Sequence, residues 1–113
     1  MNLNEIKNVK IVVFVPKTHA DVVRNAMGEA GAGVIGNYKH CSFSSDGYGR
    51  FVPQDGANPH IGEVGVPEAV LEERIETVCP IEKLEEVIKA IKEVHPYEEV
   101  ALDVYPLVDY ANI

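Results

Sequence analysis

From Val9 to Val15 the chain reads VKIVVFV, a nearly unbroken β-branched run of the kind that forms a strand covered on at least one face. Pro16 ends it. Thr18 then supplies a side-chain oxygen for the first free helical N–H groups, with Asp21 three residues on as a short version of the capping-box acid, so a helix is predicted to start there. Val22, Val23, Ala26, Met27 and Ala30 recur at helical spacing and mark its buried face; Arg24 and Glu29 fall off that face, and Gly31 stands where a left-handed cap residue belongs. A second helix is plainer still. Leu84, Val87, Ile88, Ile91 and Val94 step by three and four, with Glu82, Glu85, Glu86, Lys89 and Lys92 outside the stripe, until Pro96 stops the pattern. Beyond it Val100, Leu102 and Val104 alternate with Glu99, Ala101 and Asp103, which predicts a half-buried strand.

Between the two helical patterns the periodicity weakens. All nine glycines lie from Gly28 to Gly65, a density that suits turns and close backbone approach rather than a helix. VIGNYKHCSF after Gly33 and YGRFVP after Gly47 carry β-forming residues, and Ser44-Ser45-Asp46-Gly47 between them reads as the turn of a β-hairpin. From Pro53 to Pro67 there are too many turn formers for regular structure, so a long loop is predicted, of a length that binds something or packs on a neighbour. VLEERIETV, Val70 to Val78, is helical by propensity, yet it enters Cys79-Pro80 as the first strand enters Pro16; its second half is assigned as strand.

That parallel extends into a weak internal repeat. Pro16, Val23, Ala26 and Met27 correspond to Pro80, Val87, Ala90 and Ile91 at one constant offset of 64 residues. Two β-Pro-helix units, each followed by another strand, give an α+β fold, the ferredoxin-like βαββαβ plait, with an extended β-hairpin and a long glycine-rich loop after the second strand. Both helices cover one face of such a sheet. The other face and the hairpin edge then call for association with other copies.

Composition narrows the function class. The 113 residues are expected to form a single domain, 1–113, and the absence of a transmembrane-length window or a signal-peptide core at MNLNEIKNVK makes a cytoplasmic location the expectation, with no membrane partner. Up to Gly62 there are six Lys/Arg against five Asp/Glu, and from Glu63 onward four against thirteen, so the second half carries −9 of the net −8. Nucleic-acid affinity rests on neutralising phosphates, and this balance argues against a nucleic-acid partner. A basic protein partner or a cation suits it better, although acidic runs most often only solvate a helix face. Cys41 and Cys79 form no CxxC pair and are read as reduced thiols in packed surroundings.

GAGVIGNYKHCSF, GYGRFVP with GANPHIG, the RIE at Arg74 to Glu76 and the closing HPYEEVA together resemble the small PII-like, CutA-like domain inserted in some Nif-three-like proteins. The resemblance spans almost the whole chain, which is similar to a stand-alone copy of that insert, and it implies the same plait and a homotrimer. It brings no assigned reaction. The dinuclear metal site associated with Nif-three-like proteins belongs to flanking domains, the nucleotide-binding motif of PII has no match here, and the tryptophans common in CutA chains are missing.

Chemistry-bearing residues remain without diagnostic spacing. His40 and Cys41, His60 and Glu63, and His95, Glu98 and Glu99 are of the types that hold zinc or copper, but adjacent His40 and Cys41 point to opposite sides of an extended strand. In HPYEE, His95 at a helix end favours the imidazolium through the helix dipole, and Tyr97 with Glu98 and Glu99 would complete an acid–base group; the commoner outcome is that Tyr97 packs under the loop. The glycines with Lys39 and Arg50 suggest an anion nest, but without the order of a phosphate loop. No nucleophile elbow or metal-protease spacing is present, so the reading leans away from an enzyme and no cofactor is assigned. The sequence thus points to a homo-oligomeric, PII-like binding or regulatory protein of unassigned small-molecule or metal-ion ligand; the alternatives are a CutA-like divalent metal-binding protein and a structural interaction module. Its ligand site is expected at a subunit boundary where a neighbouring copy brings the glycine-rich segment to the HPYEE corner, with Tyr38, Arg50, His60, His95 and Glu98 as its residues.

Overall fold

The computed structural model describes residues 5–110. Its elements run β1 (Asn8–Pro16), α1 (Ala20–Glu29), β2 (Phe43–Phe51), β3 (Glu68–Pro80), α2 (Leu84–Val94) and β4 (Leu102–Pro106). They form one antiparallel sheet in the order β2-β3-β1-β4, with α1 and α2 packed together on one face. This is the plait predicted from the two β-Pro-helix units. The 64-residue offset holds in detail: β1 and β3 end on Pro16 and Pro80, each followed by a one-turn 3-10 helix (Lys17–His19 and Ile81–Lys83), and the α-helices begin at Ala20 and Leu84.

The helix-covered face carries the dry core. Val9, Ile11, Val13 and Val15 of β1 and Ile75 and Cys79 of β3 meet Ala20, Val23 and Met27 of α1 and Val87 and Ile91 of α2, all buried. The repeat partners Val23 and Val87 are both fully inside, as are Met27 and Ile91. Val22, expected on the apolar face, is instead exposed. Burial also pushes the Cys79 thiol up, with a contribution from the Glu82 charge, so it is an inert packing group.

Three local expectations are corrected. Thr18 does not cap α1: the first turn is closed by the backbone bond from Ala20 N–H to Lys17 O, and the Thr18 hydroxyl lies 2.8 Å from His19 Nδ1. A 3-10 entry turn satisfies in the backbone what a cap would have satisfied with a side chain. At the other end Gly31, with φ +115°, does cap the helix, through paired bonds from Ala32 N–H to Met27 O and from Gly31 N–H to Gly28 O. Ser44 to Gly47 is not a turn. It lies inside β2, which pairs residue for residue with β3 from Phe43↔Glu76 to Phe51↔Glu68. Of the stretch expected to be the first hairpin strand, Phe43 opens β2 and the rest forms an isolated bridge, Ile35↔Tyr38, around Gly36-Asn37. Nine consecutive cross-strand partners outweigh a four-residue turn preference, and the true chain reversal is the glycine-rich loop 52–67. Finally, β3 is strand throughout, Glu68 included, where only its second half was assigned so.

The β2–β3 pair outruns the helices, which stretches the molecule to 49 × 29 × 22 Å. On the helix side this overhang leaves the cross-strand neighbours Tyr48 and Leu71 exposed. On the open side it makes the floor of a cleft.

Candidate functional site

Strand alternation puts Phe14 of β1, Glu72 and Arg74 of β3, and Ser45, Gly47, Gly49 and Phe51 of β2 on the open face. Over them fold the loop after β2 and the chain leaving α2. A cleft of about 720 Å³ lies between, walled by Pro53, Ala57, Pro59 and His60 on the loop side and by Tyr97, Glu98 and Glu99 on the other.

The loop and the HPYEE corner therefore meet within one chain, and a neighbouring copy is not needed to join them. The loop holds its own shape through Gly65 N–H to Pro53 O at 2.8 Å and Ala57 N–H to Gln54 O at 3.0 Å. Its middle is tied to the corner by the Asn58 N–H, which donates to Glu98 Oε1 at 2.9 Å. Ring contacts complete the seam: His60 lies 6.2 Å from Tyr97 and 5.6 Å from His19, and Tyr97 packs 6.0 Å from Phe51. The expectation that Tyr97 packs under the loop holds.

His95 lies behind this wall, 7% exposed, and does not line the cleft. Its Nε2–H donates to Phe14 O at 2.7 Å, and its Nδ1 accepts the Tyr97 N–H at 3.1 Å. Both partners are satisfied by one neutral tautomer only. Its pKa is lowered: burial is the largest cause, and with the nearby His19 and His60 it outweighs the Phe14 carbonyl and Glu72, which act the other way. The imidazolium expected from the helix dipole is thus overruled by desolvation. Tyr97 carries the seam onto the sheet, where its hydroxyl donates to Glu72 Oε2 at 2.9 Å; burial first, and this bond second, push its pKa well above the ordinary phenol range.

Of the five residues singled out in the sequence, the structure brings three to the cleft. Glu98 and His60 line it through the corner and the loop. Arg50 lines it along the strand, but alternation turns its side chain to the opposite face, where the guanidinium sits 5.9 Å from the Tyr48 ring. His95 stands behind the wall as a positioning group. Tyr38 is elsewhere, 75% exposed beside the Gly36-Asn37 turn. His40 and Cys41 are also remote. The His40 ring rests on the bare backbone of Gly28 with Nε2 3.2 Å from Glu29, and Cys41 O accepts the Thr77 hydroxyl. Among the described residues no group of three or more His, Cys, Asp or Glu side chains comes together as a metal-holding set.

Sequence reasoning missed Glu72, Gly47, Gly49 and Phe14. Glu72 is 7% exposed, and Gly49 is bare because a Cβ there would come within 2.1 Å of the Glu72 carboxylate. At Gly47 a Cβ would meet nothing within 4 Å, so the floor is open there. The available signal was the G-Y-G spacing, which puts two glycines on one face of a strand.

A second polar cluster lies on the helix side of the sheet. Glu73, buried, is held by Arg24 and by Lys17 at 3.2 Å, while Lys17 also pairs with Asp46 and Arg24 with Asp21. Burial pushes the Glu73 carboxyl up, but hydrogen bonds from Ser44, Lys17 and Arg24 outweigh it and leave the pKa lowered. This network fastens α1 to β2 and β3 and opens on no cavity of size.

No family model matches the chain. A GTP cyclohydrolase 1 type 2 homolog of Bacillus subtilis is 56% identical over 98 residues, which is 87% of this chain and 26% of that relative. A crystal structure of a Bacillus cereus protein related to NIF3 is also 56% identical, with a TM-score of 0.80 over 92% of this chain and 26% of the other. The PII-like protein CutA of Nostoc sp. PCC 7120, 15% identical, shares the fold alone, at a TM-score of 0.65 over 93% of this chain and 86% of the other. The chain thus spans about a quarter of the length of the curated relatives it matches. In sequence it is homologous to that quarter of the Nif-three-related proteins, and its architecture is the CutA-like, PII-like ferredoxin fold.

Proposed function

We propose that this chain is a homo-oligomeric binding or regulatory protein of the PII-like kind, and that it takes a small molecule in the cleft between the open sheet face, the loop after β2 and the HPYEE corner. The observation that carries the reading is the cleft itself. Its volume of about 720 Å³ is that of a small-molecule site. Its walls combine the Phe14, Phe51 and Tyr97 rings with a few polar groups, and a segment tied down by a single backbone-to-carboxylate bond at Asn58 can admit and enclose a ligand. Catalysis fits less well, since Tyr97 is held protonated against Glu72 and His95 is committed to two backbone partners.

Association is part of the proposal. β2 and β4 are edge strands, and Phe43, Val104 and Tyr105 are exposed on or beside them. The resemblance to PII-like and CutA-like domains suggests three copies, and light scattering is expected to give the mass of three chains; a monomer across micromolar concentrations would overturn the association. Native mass spectrometry of protein purified without added ligand tests the binding reading, with a co-purified small molecule expected on the assembly. Glu98→Ala, which releases the loop, is expected to lose that molecule with little change in melting. Arg50→Ala, directed to the other face, is expected to keep it. Equal retention by both variants would place the ligand outside the cleft.

A further inference from the structure

The cleft holds a carboxylate without a cation. Glu72 is 7% exposed, and among the described residues no Lys, Arg or His forms an ion pair with it. Tyr97 donates to its Oε2, which fixes the side chain across Gly49, and among the described residues nothing donates to its Oε1. The neighbouring positive groups are already engaged. Arg74, two residues along the same face, pairs through Nε with Glu76 at 3.4 Å and lies over the Phe14 ring at 5.7 Å. His95 is the neutral tautomer described above. Further acid lines the same cleft at Glu98 and Glu99. A desolvated carboxylate lacking a counter-charge is costly, and a ligand that supplies the charge recovers that cost on binding.

The rest of the cleft describes the body that carries the charge. Gly47 presents peptide backbone with open space over it, and beside it the Glu72 carboxylate itself lies over the backbone of Gly49. Phe14, Phe51 and Tyr97 stand around this floor. A flat floor edged by rings accepts a planar apolar group, and aromatic rings add attraction for a cation beside them.

Resting on the reading of the cleft as a small-molecule site, we propose that its ligand is an organic cation, a protonated amine or amidine on a planar body, whose N–H groups donate to Glu72 Oε1, seated over Gly49, while the body lies over the open backbone at Gly47. The test uses benzamidine and its neutral counterpart benzamide as probes of the whole chain, titrated by calorimetry or by chemical-shift changes at Gly47 and Gly49. Benzamidine is expected to bind at least tenfold more tightly than benzamide, and Glu72→Gln, which keeps an acceptor for Tyr97, is expected to bring the two within twofold. Gly47→Val, which fills open space, is expected to abolish binding of both without lowering the melting temperature. Equal affinity of the two probes for the unaltered chain would overturn the cationic class while leaving the cleft as a site. Binding of neither probe would overturn the class as well. Undiminished binding by Gly47→Val would remove the cleft reading itself.

Discussion

The two faces of this sheet solve opposite problems with the same strands. On the helix side β1 and β3 put Val9, Ile11, Val13, Val15, Ile75 and Cys79 under α1 and α2 as an apolar core, with Glu73 and Thr77 paired at its edge. On the open side the same two strands present Phe14, Glu72, Arg74 and Glu76, covered in part by a loop without regular structure. The first face is held by area removed from water, which is insensitive to detail and large in sum. The second is held by particular pairs: Tyr97 on Glu72, Asn58 on Glu98, Arg74 on Glu76. Stability is therefore concentrated on the helix-covered face, and the open face is held by individual polar pairs.

Truncating the dry face has the largest expected effect. Ile75→Ala removes a fully buried side chain from the centre of β3 and is expected to cost about 2–5 kcal/mol, read from chemical denaturation. A loss below about 1 kcal/mol would mean that the helix-covered face is not the main store of stability. At its rim, Arg24→Ala leaves Glu73 buried with Lys17 as its remaining cation, and the expected cost is about 1–3 kcal/mol, less than for a fully sequestered pair. The pH dependence sharpens this. Because the folded pKa of Glu73 is lowered, its contribution is present above the ordinary carboxyl value of 4.5 and is lost as pH falls through the folded value. Arg24→Ala should therefore shrink the acid-range loss as well as the plateau.

On the open face the contrast between two glycines is the sharper probe. Gly49→Ala drives a Cβ into the Glu72 carboxylate, breaks its bond to Tyr97 and is expected to cost about 1–2 kcal/mol. Gly47→Ala, two residues away on the same face, meets nothing and is expected to stay within about 0.5 kcal/mol of the parent. Equal effects at the two positions would mean that Glu72 does not lie across Gly49. The last probe is the titration of His95. Its folded pKa is depressed below the ordinary 6.5, so stability from the neutral ring is complete above that value and declines as pH falls below it. His95→Gln should flatten the curve of melting temperature against pH in this range; an unchanged slope would show that His95 titrates freely.

How legible these features were in the sequence depends on the range of the interaction behind each. The β1 run, the two helical stripes and the Pro16–Pro80 repeat are local patterns, and each returned as an element at its expected place. The turn at Ser44–Gly47 was equally local in appearance and did not form, because β3 supplies nine consecutive partners to the strand that contains it. His95 was read through the helix it terminates, while burial makes it neutral and the carbonyl of Phe14 in β1, 81 residues away, fixes which nitrogen carries the proton. Glu98 and His60 were recognisable by chemistry, and Arg50 by chemistry without direction, since only the register of β2 against β3 says which face its side chain takes.

By itself, then, the sequence determined the strand–proline–helix units, their repetition, the side of each helix that would be buried and the family resemblance. These follow from periodicities of two and 3.6 residues and from proline and glycine, which act on their immediate neighbours. Tertiary structure alone decided that the loop after β2 folds back over its own sheet, that Glu72 is buried without a cation, and that Gly47 leaves an open floor while Gly49 seats the Glu72 carboxylate, both within a strand rather than a turn. Each of these depends on groups 20 to 40 residues apart arriving at one place. Such encounters are set by strand register and chain reversal, and the residue types at either end do not encode them.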